Sequence, residues 1–254
     1  MHARNWERFI MTNSDIKEKL KKIVLSSYRA EWRYPQTKYK LKTSERKKHL
    51  YSVMYLMDNV QDKYDIANAK ENSTNYKYAM FVYDETNEKD SELCIVVGQN
   101  PSYSSNVNVD RTNQSIYKAL LHNKKTRYLM LNTFPKIDSD GTNSPDLGKT
   151  TENIEIAKKL IAELKKCDLT IKLIYACGGS IPVYAKFIEE LKKLAEDLEI
   201  KTYAFEANNF IQRHMSMQNI NSRQLKPSDF SIVKCGVDFV PTDEFKHVEF
   251  KKGE

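Results

Sequence analysis

The distribution of apolar and polar residues changes at about residue 76. Beyond it, short apolar runs alternate with longer amphipathic stretches. The runs, at 78–83, 93–97, 127–131, 171–176 and 201–205, predict strands, and the stretches 115–122, 151–166 and 182–198 predict helices. Strands separated by helices of this length favour βαβ units and a parallel sheet, so the predicted fold class is α/β, a three-layer αβα sandwich. We place 78–83 at an edge of the sheet and expect a hairpin or edge strand at 231–240.

The first 75 residues have a different pattern. Apolar residues near helical spacing predict one helix at 14–32, capped by Ser14 or Asp15, and a second at about 44–63. The polar stretch 71–75 is prone to turns. We therefore divide the chain into a helical N-terminal extension, residues 1–75, and an α/β core, residues 76–254.

Charge separates the same two parts. Residues 1–75 hold 16 Lys and Arg against 9 Asp and Glu, which accounts for the whole net charge of +7, because the rest balances at 25 against 25. A basic extension on a neutral core predicts a polyanionic partner, since Lys and Arg release phosphate counterions when they bind. A basic surface that serves only solubility is the alternative.

Other features of the composition limit the class of protein and its location. The sequence contains no apolar stretch long enough to span a membrane and no evident signal peptide, so we expect a cytoplasmic protein without a membrane partner. The four cysteines are scattered and form no C-x-x-C pair, which predicts buried thiols in a reducing compartment. We expect no metal site and no cofactor.

Four short motifs lie near the ends of predicted strands. They are Gly98-Gln99-Asn100-Pro101-Ser102, Leu129-Met130-Leu131-Asn132-Thr133, Ala176-Cys177-Gly178-Gly179 and Arg213-His214-Met215-Ser216. In an open parallel sheet, ligands bind at the edge where the strands end. Each motif is weak by itself, but the ordered set predicts a ligand site at that edge.

The order and content of these motifs resemble the uracil-DNA glycosylase superfamily, over roughly residues 90–220. The first motif is similar to a blend of the GQDPY and GINPG motifs, the second to LLLN and the fourth to HPSPLS, although Met215 replaces its first proline. The details are closest to a divergent bacterial and phage family of that superfamily. The resemblance implies a central parallel sheet of four strands and a DNA glycosylase that flips a base out of the duplex.

By the same resemblance, two residues carry the chemistry. Asn100 would position the attacking water, and because an amide cannot accept a proton, the rate must come from stabilising the charged transition state. His214 would donate a hydrogen bond to the departing base. Asn132 would read the Watson–Crick edge of the base, with the rest of the pocket lined by Gly98, Gln99, Pro101, Ser102 and Tyr103.

Serine at position 102 is the most informative departure from the family pattern. In the GQDPY branch, a tyrosine there crowds C5 of the pyrimidine. Ser102 removes about a ring's volume, which predicts a pocket that admits a C5 substituent.

The resemblance also implies DNA contacts. They would come from Ser216, Met217, Arg223, Arg111 and Gly178. An apolar wedge for the vacated position in the duplex is expected in the loop 217–225, where Met217, Ile220 and Leu225 are the candidates.

The function expected on these grounds is a monomeric, monofunctional DNA glycosylase that hydrolyses the N-glycosidic bond of a modified pyrimidine and leaves an abasic site. The substrate could be a glucosylated hydroxymethylcytosine in double-stranded phage DNA, which would make the protein antiviral. Alternatives are a uracil or damaged-base repair glycosylase, a non-catalytic nucleic-acid-binding module and an enzyme acting on free nucleosides.

Overall fold

The computed structural model describes residues 11–23, 30–33, 39–42, 48–58, 76–87, 90–99, 101, 111–137, 147–167, 169–177, 182–211, 225–241 and 246–253. These residues form four α-helices: α1 (Asn13–Lys22), α2 (Arg111–His122), α3 (Leu147–Lys165) and α4 (Pro182–Asp197). A 3-10 turn covers Pro227–Asp229. Within the described ranges, no helix has the length and apolar character needed to cross a membrane.

The strands of the described residues build one mixed sheet of eleven. They are β1 (Ala30–Arg33), β2 (Tyr39–Lys42), β3 (Lys48–Asp58), β4 (Lys77–Asp84), β5 (Glu92–Gly98), β6 (Arg127–Asn132), β7 (Thr170–Tyr175), β8 (Lys201–Ala207), β9 (Phe210–Ile211), β10 (Ser231–Pro241) and β11 (Lys246–Lys252). Their order is β1-β3-β4-β6-β5-β7-β8-β10-β11, with β2 paired to β3 and β9 paired to β8.

The middle of the sheet carries the predicted α/β character. Strands β6, β5, β7 and β8 are neighbours and pair in parallel. Antiparallel strands extend this part on both sides, β4 beyond β6 and β10 beyond β8. The mixed α/β class is thus confirmed. The predicted sheet of four parallel strands, however, describes only the middle of a larger mixed sheet. Strand β4 lies between β3 and β6, so its predicted edge position is wrong. Residues 231–240 belong to the single strand β10, which lies between β8 and β11, so the prediction of a hairpin or an edge strand within that segment is also wrong.

Alternate residues of the central strands enter two separate cores. One core lies between the sheet and α2, and we call this side the α2 face; its strand residues include Val96, Met130 and Ala176. The other core lies between the sheet and the helices α1, α3 and α4, and we call this side the α3 face; it includes Val97 and Leu131. Because both sides are covered, β5 and β6 are nearly continuous apolar runs rather than alternating ones.

The N-terminal prediction needs correction. The first helix ends at Lys22, and Ala30–Arg33 is strand β1. The second predicted helix, 44–63, is wrong, because Lys48–Asp58 is strand β3 and pairs with β4. Residues 51–57 are buried throughout, so both faces of this strand are apolar. In such a run, some apolar residues also fall at the spacing of a helix, which is why the sequence predicts one. The described part of the N-terminal region is therefore not a helical extension.

A buried arginine fastens α1 to the sheet. Arg127, the first residue of β6, is 1% exposed. Its guanidinium donates to the main-chain oxygens of Met11 (2.8 Å), Glu92 (3.1 Å) and Asp90. A planar group with five donors suits this task, because it bonds three separate segments at once. Arg127 thereby joins the segment just before α1 to the amino ends of β5 and β6.

We expect Arg127→Met to reduce the free energy of unfolding by about 3 kcal/mol or more, because three main-chain carbonyls lose their donor in a buried region. Urea unfolding followed by circular dichroism measures the change. Lys166→Met, at a position that is 66% exposed, is the control and should change stability by less than about 0.5 kcal/mol. Equal losses in the two variants would show that the guanidinium contributes nothing.

Candidate functional site at the carboxyl edge

The parallel strands β5 to β8 end at one edge of the sheet, which we call the carboxyl edge. The first two motifs meet here, because Gly98 and Asn132 are partners in the parallel ladder. The sequence prediction that these two motifs lie together is confirmed.

Hydrogen bonds continue between the two chains beyond the strand ends. The amide of Thr133 donates to the oxygen of Gly98 (2.9 Å), and that of Phe134 donates to the oxygen of Gln99 (3.0 Å). The Thr133 hydroxyl also donates to the oxygen of Gln99 (2.7 Å). Both Thr133 and Phe134 are buried. The segments that leave β5 and β6 therefore start from a fixed position.

Glycine at position 98 makes room for its neighbours on the α2 face. A Cβ atom at this position would collide with Cε of Met130 and lie 2.9 Å from Oδ1 of Asn132. Real Cβ atoms do not approach other atoms so closely, so any side chain at 98 would displace at least one of these groups. The Asn132 amide thus occupies space that only glycine leaves open.

Asn132 is held by its main chain and has an available side-chain oxygen. Its main-chain oxygen accepts a hydrogen bond from Nδ2 of Asn153 on α3 (2.8 Å). The residue is 3% exposed, and its Oδ1 has no hydrogen-bond partner among the described residues. A buried carbonyl oxygen without a donor costs about 1–3 kcal/mol. The orphaned atom is the strongest indication of a ligand at this edge.

The side chain of Gln99 points the other way. Its Nε2 donates to the phenol oxygen of Tyr184 on α4 (3.0 Å), which lies on the α3 face. Gln99 therefore anchors the end of β5, and its side-chain nitrogen is not beside the Asn132 amide. A contact between a base and the main chain at Gln99 or the buried Pro101 stays a prediction.

The third motif supplies a buried thiol. Cys177 follows β7 and is 0% exposed, and burial raises its pKa to about 12. Because the thiolate is the reactive form, this cysteine is a packing residue rather than a nucleophile. Gly178 lies outside the described residues.

The fourth motif does not follow a parallel strand directly. Strand β8 ends at Ala207, and the chain reverses at Asn208 and Asn209 into the two-residue antiparallel strand β9. The apolar run before Arg213 is thus β9, a different element from the one expected. Residues 212–224 lie outside the described part of the chain.

Both predicted catalytic residues and several others lie outside the described part of the chain. Those outside the described residues are Asn100, Ser102, Tyr103, Gly178, His214, Ser216, Met217, Ile220 and Arg223. Arg111 is placed only by its backbone, at the start of α2. Leu225 belongs to the core on the α2 face, so it is excluded as the wedge.

A cluster that the sequence did not predict lies at the same edge on the α3 face. Nζ of Lys149 lies 2.8 Å from Oε2 of Glu152 and 3.2 Å from the phenol oxygen of Tyr78, which donates to Oε1 of Glu152 (2.9 Å). Burial, together with Glu152, raises the pKa of Tyr78 well above its usual value. The register of β3 and β4 skips Tyr78, because Leu56 pairs with Ala79 and Met57 with Lys77. Such a bulge redirects a side chain, here toward α3.

Comparison with known proteins gives no match to a family model, a curated protein or a solved structure.

We expect Gly98→Ala to lower the free energy of unfolding by about 1–3 kcal/mol, because the added methyl group must displace Met130 or Asn132. A double-mutant cycle with Met130→Ala, followed by urea unfolding, separates the two contacts. Since Met130→Ala removes the colliding methyl group, the cost of Gly98→Ala should fall in that background. An unchanged cost would show that Met130 is not the obstacle.

We expect only Cys167 to react readily with Ellman's reagent in the native protein at pH 8. Cys94, Cys177 and Cys235 are buried, and desolvation raises their pKa values to about 12, 12 and 11. Adding guanidinium chloride should then release the remaining three thiols. Rapid native labelling of Cys177, located by mass spectrometry, would contradict its assignment as a packing residue.

Proposed function

We propose that the protein is a monofunctional DNA glycosylase that acts on a modified pyrimidine. The observation that carries the proposal is the buried Oδ1 of Asn132, which lies beside Gly98 and has no hydrogen-bond partner within the described part of the chain. Support also comes from its location, because flipped bases and nucleotides bind where parallel strands end.

The chemistry of the orphaned atom limits what can bind there. A carbonyl oxygen accepts hydrogen bonds, so its ligand must present a donor such as the N3–H of a uracil-like base or the exocyclic amine of a cytosine-like base. The amide nitrogen of the same side chain can donate to the adjacent acceptor of either base. An asparagine held by its main chain to α3 reads such an edge with little loss of conformational entropy.

In the proposed reaction, the oxygen of a water molecule bonds to C1′ of the flipped nucleotide while the bond from C1′ to the base nitrogen breaks. The base leaves with the bonding electrons and receives a proton. Asn100 would position the water, and His214 would stabilise the charge on the departing base. These two roles rest on the resemblance of the motifs.

The proposed substrate is double-stranded DNA with a bulky C5 substituent on cytosine, such as the glucosylated bases of some phage genomes. Ser102 supports this choice because the family's tyrosine would crowd that position. The net charge of +7 supports a nucleic-acid partner. An antiviral role, a cytoplasmic location and a monomeric state belong to the same proposal.

The test is release of a base from a panel of DNAs that contain uracil, unmodified cytosine, hydroxymethylcytosine or its glucosylated form. Mass spectrometry identifies the released base, and alkali cleavage reveals abasic sites. We expect release only from the modified DNA, falling at least 100-fold in Asn132→Ala because the base loses its buried partner. Asn100→Ala and His214→Ala should also lose base release while retaining DNA binding.

Asn13→Ala is the matched control. Nδ2 of Asn13, a buried residue, donates to the main-chain oxygens of Asp84 and Asn87. The Asp84 amide donates to the oxygen of Thr126, just before β6, so Asn13 lies at the amino end of that strand and away from the carboxyl edge. Equal activity losses in Asn13→Ala and Asn132→Ala would show that the loss in Asn132→Ala reflects stability alone. Salt-sensitive DNA binding without release from any substrate would instead identify a non-catalytic binding module.

A further inference from the structure

One aromatic side chain at the carboxyl edge is exposed to solvent. Among the described residues, the exposed large apolar side chains are Phe210, at 70%, and Val240, at 38%. A single exposed apolar residue is ordinary on a protein surface. The significance of Phe210 therefore depends on how the ring is held and on what lies near it.

A tight turn holds Phe210 in place. Asn208 and Asn209 have φ angles of 53° and 64°, and Ala207 pairs with Phe210 across the turn. Two left-handed residues between paired antiparallel positions are typical of a type I′ hairpin, and asparagine tolerates this conformation better than most residues. The backbone therefore fixes the position from which the ring projects.

The ring lies on the same edge and the same face as the Asn132 amide. Ala207 belongs to the core on the α2 face, and paired residues of antiparallel strands project to the same side. Strands β5 and β7 separate β6 from β8, which places the ends of β6 and β8 roughly 14 Å apart at the usual strand spacing. One base cannot touch both residues, but one nucleic acid can.

The turn that carries the ring has no acidic side chain directed to the same face. Glu206 projects to the opposite face, where its carboxylate lies 2.7 Å from Nζ of Lys252. The turn itself carries the two uncharged amides of Asn208 and Asn209. No carboxylate of the turn therefore opposes a phosphate backbone that passes over Phe210.

We infer that Phe210 is the wedge, the side chain that inserts into the duplex at the position vacated by a base bound at Asn132. This inference rests on the proposed function. Enzymes that remove a base from the stack must compensate for the lost stacking, and an apolar ring in the gap does so. Phe210 thus lies before the loop 217–225, in which the resemblance of the motifs predicts the wedge.

The test compares binding of the full chain to a short duplex with a reduced abasic site and to the corresponding single strand, by fluorescence anisotropy. We expect Phe210→Ala to weaken binding to the abasic duplex about 10- to 100-fold, as expected for the loss of one stacked ring, with little change for the single strand. Phe210→Trp should restore duplex binding. Val240→Ala is the control, because Val240 lies near the distant end of β10.

Base release by the wild-type protein, measured in parallel, separates this inference from the proposed function. Wild-type release with no effect of Phe210→Ala on duplex binding would overturn the wedge and keep the glycosylase. Phe210-dependent duplex binding without release from any substrate would keep the wedge and overturn the glycosylase. Equal losses on duplex and single strand, or in Val240→Ala, would overturn the wedge.

Discussion

The close parallel pairing of β5 and β6 is the constraint on which the site depends. The ladder ends with Gly98 beside Asn132 and continues through the amides of Thr133 and Phe134. Because this pairing fixes the direction of two departing segments at once, it determines where the Asn132 amide lies and how much space surrounds it. The absence of a Cβ at Gly98 is part of the same arrangement, since the amide and the Met130 side chain occupy that space.

The two faces of the sheet have different roles at the carboxyl edge. On the α3 face, Asn153 and Tyr184 fix the main chain of Asn132 and the side chain of Gln99, and the ion pair of Lys149 with Glu152 holds Tyr78. On the α2 face, the Asn132 oxygen has no hydrogen-bond partner among the residues that the structure describes, and the Phe210 ring is exposed. Satisfied polar groups therefore support the edge from one side, while the buried acceptor and the exposed ring lie on the other.

The sequence predicts the central strands well because each is a short apolar run bounded by polar residues. It also predicts that Gly98 and Asn132 meet, since parallel strands end at a common edge. It fails at β3, where tyrosines and methionines buried on both faces imitate the spacing of a helix. The hydrogen bonds of Arg127 to Met11 and of Gln99 to Tyr184 join residues that are 85 or more positions apart, and no local pattern encodes such pairs. The sequence does not single out Phe210 either, because its significance depends on the turn that holds it and on the face of the sheet to which its ring projects.

The position of β4 in the sheet has a consequence for synthesis of the chain. This strand is apolar on both sides, yet its neighbour β6 begins more than 40 residues later, at Arg127. At ribosomal rates of about 5–20 residues per second, the nascent β4 waits roughly 2–10 seconds for that partner. During this interval it can pair only with β3, which leaves one long apolar strand edge open. The order of strands in the finished sheet therefore makes the half-synthesised chain a natural client for chaperones that shield such edges.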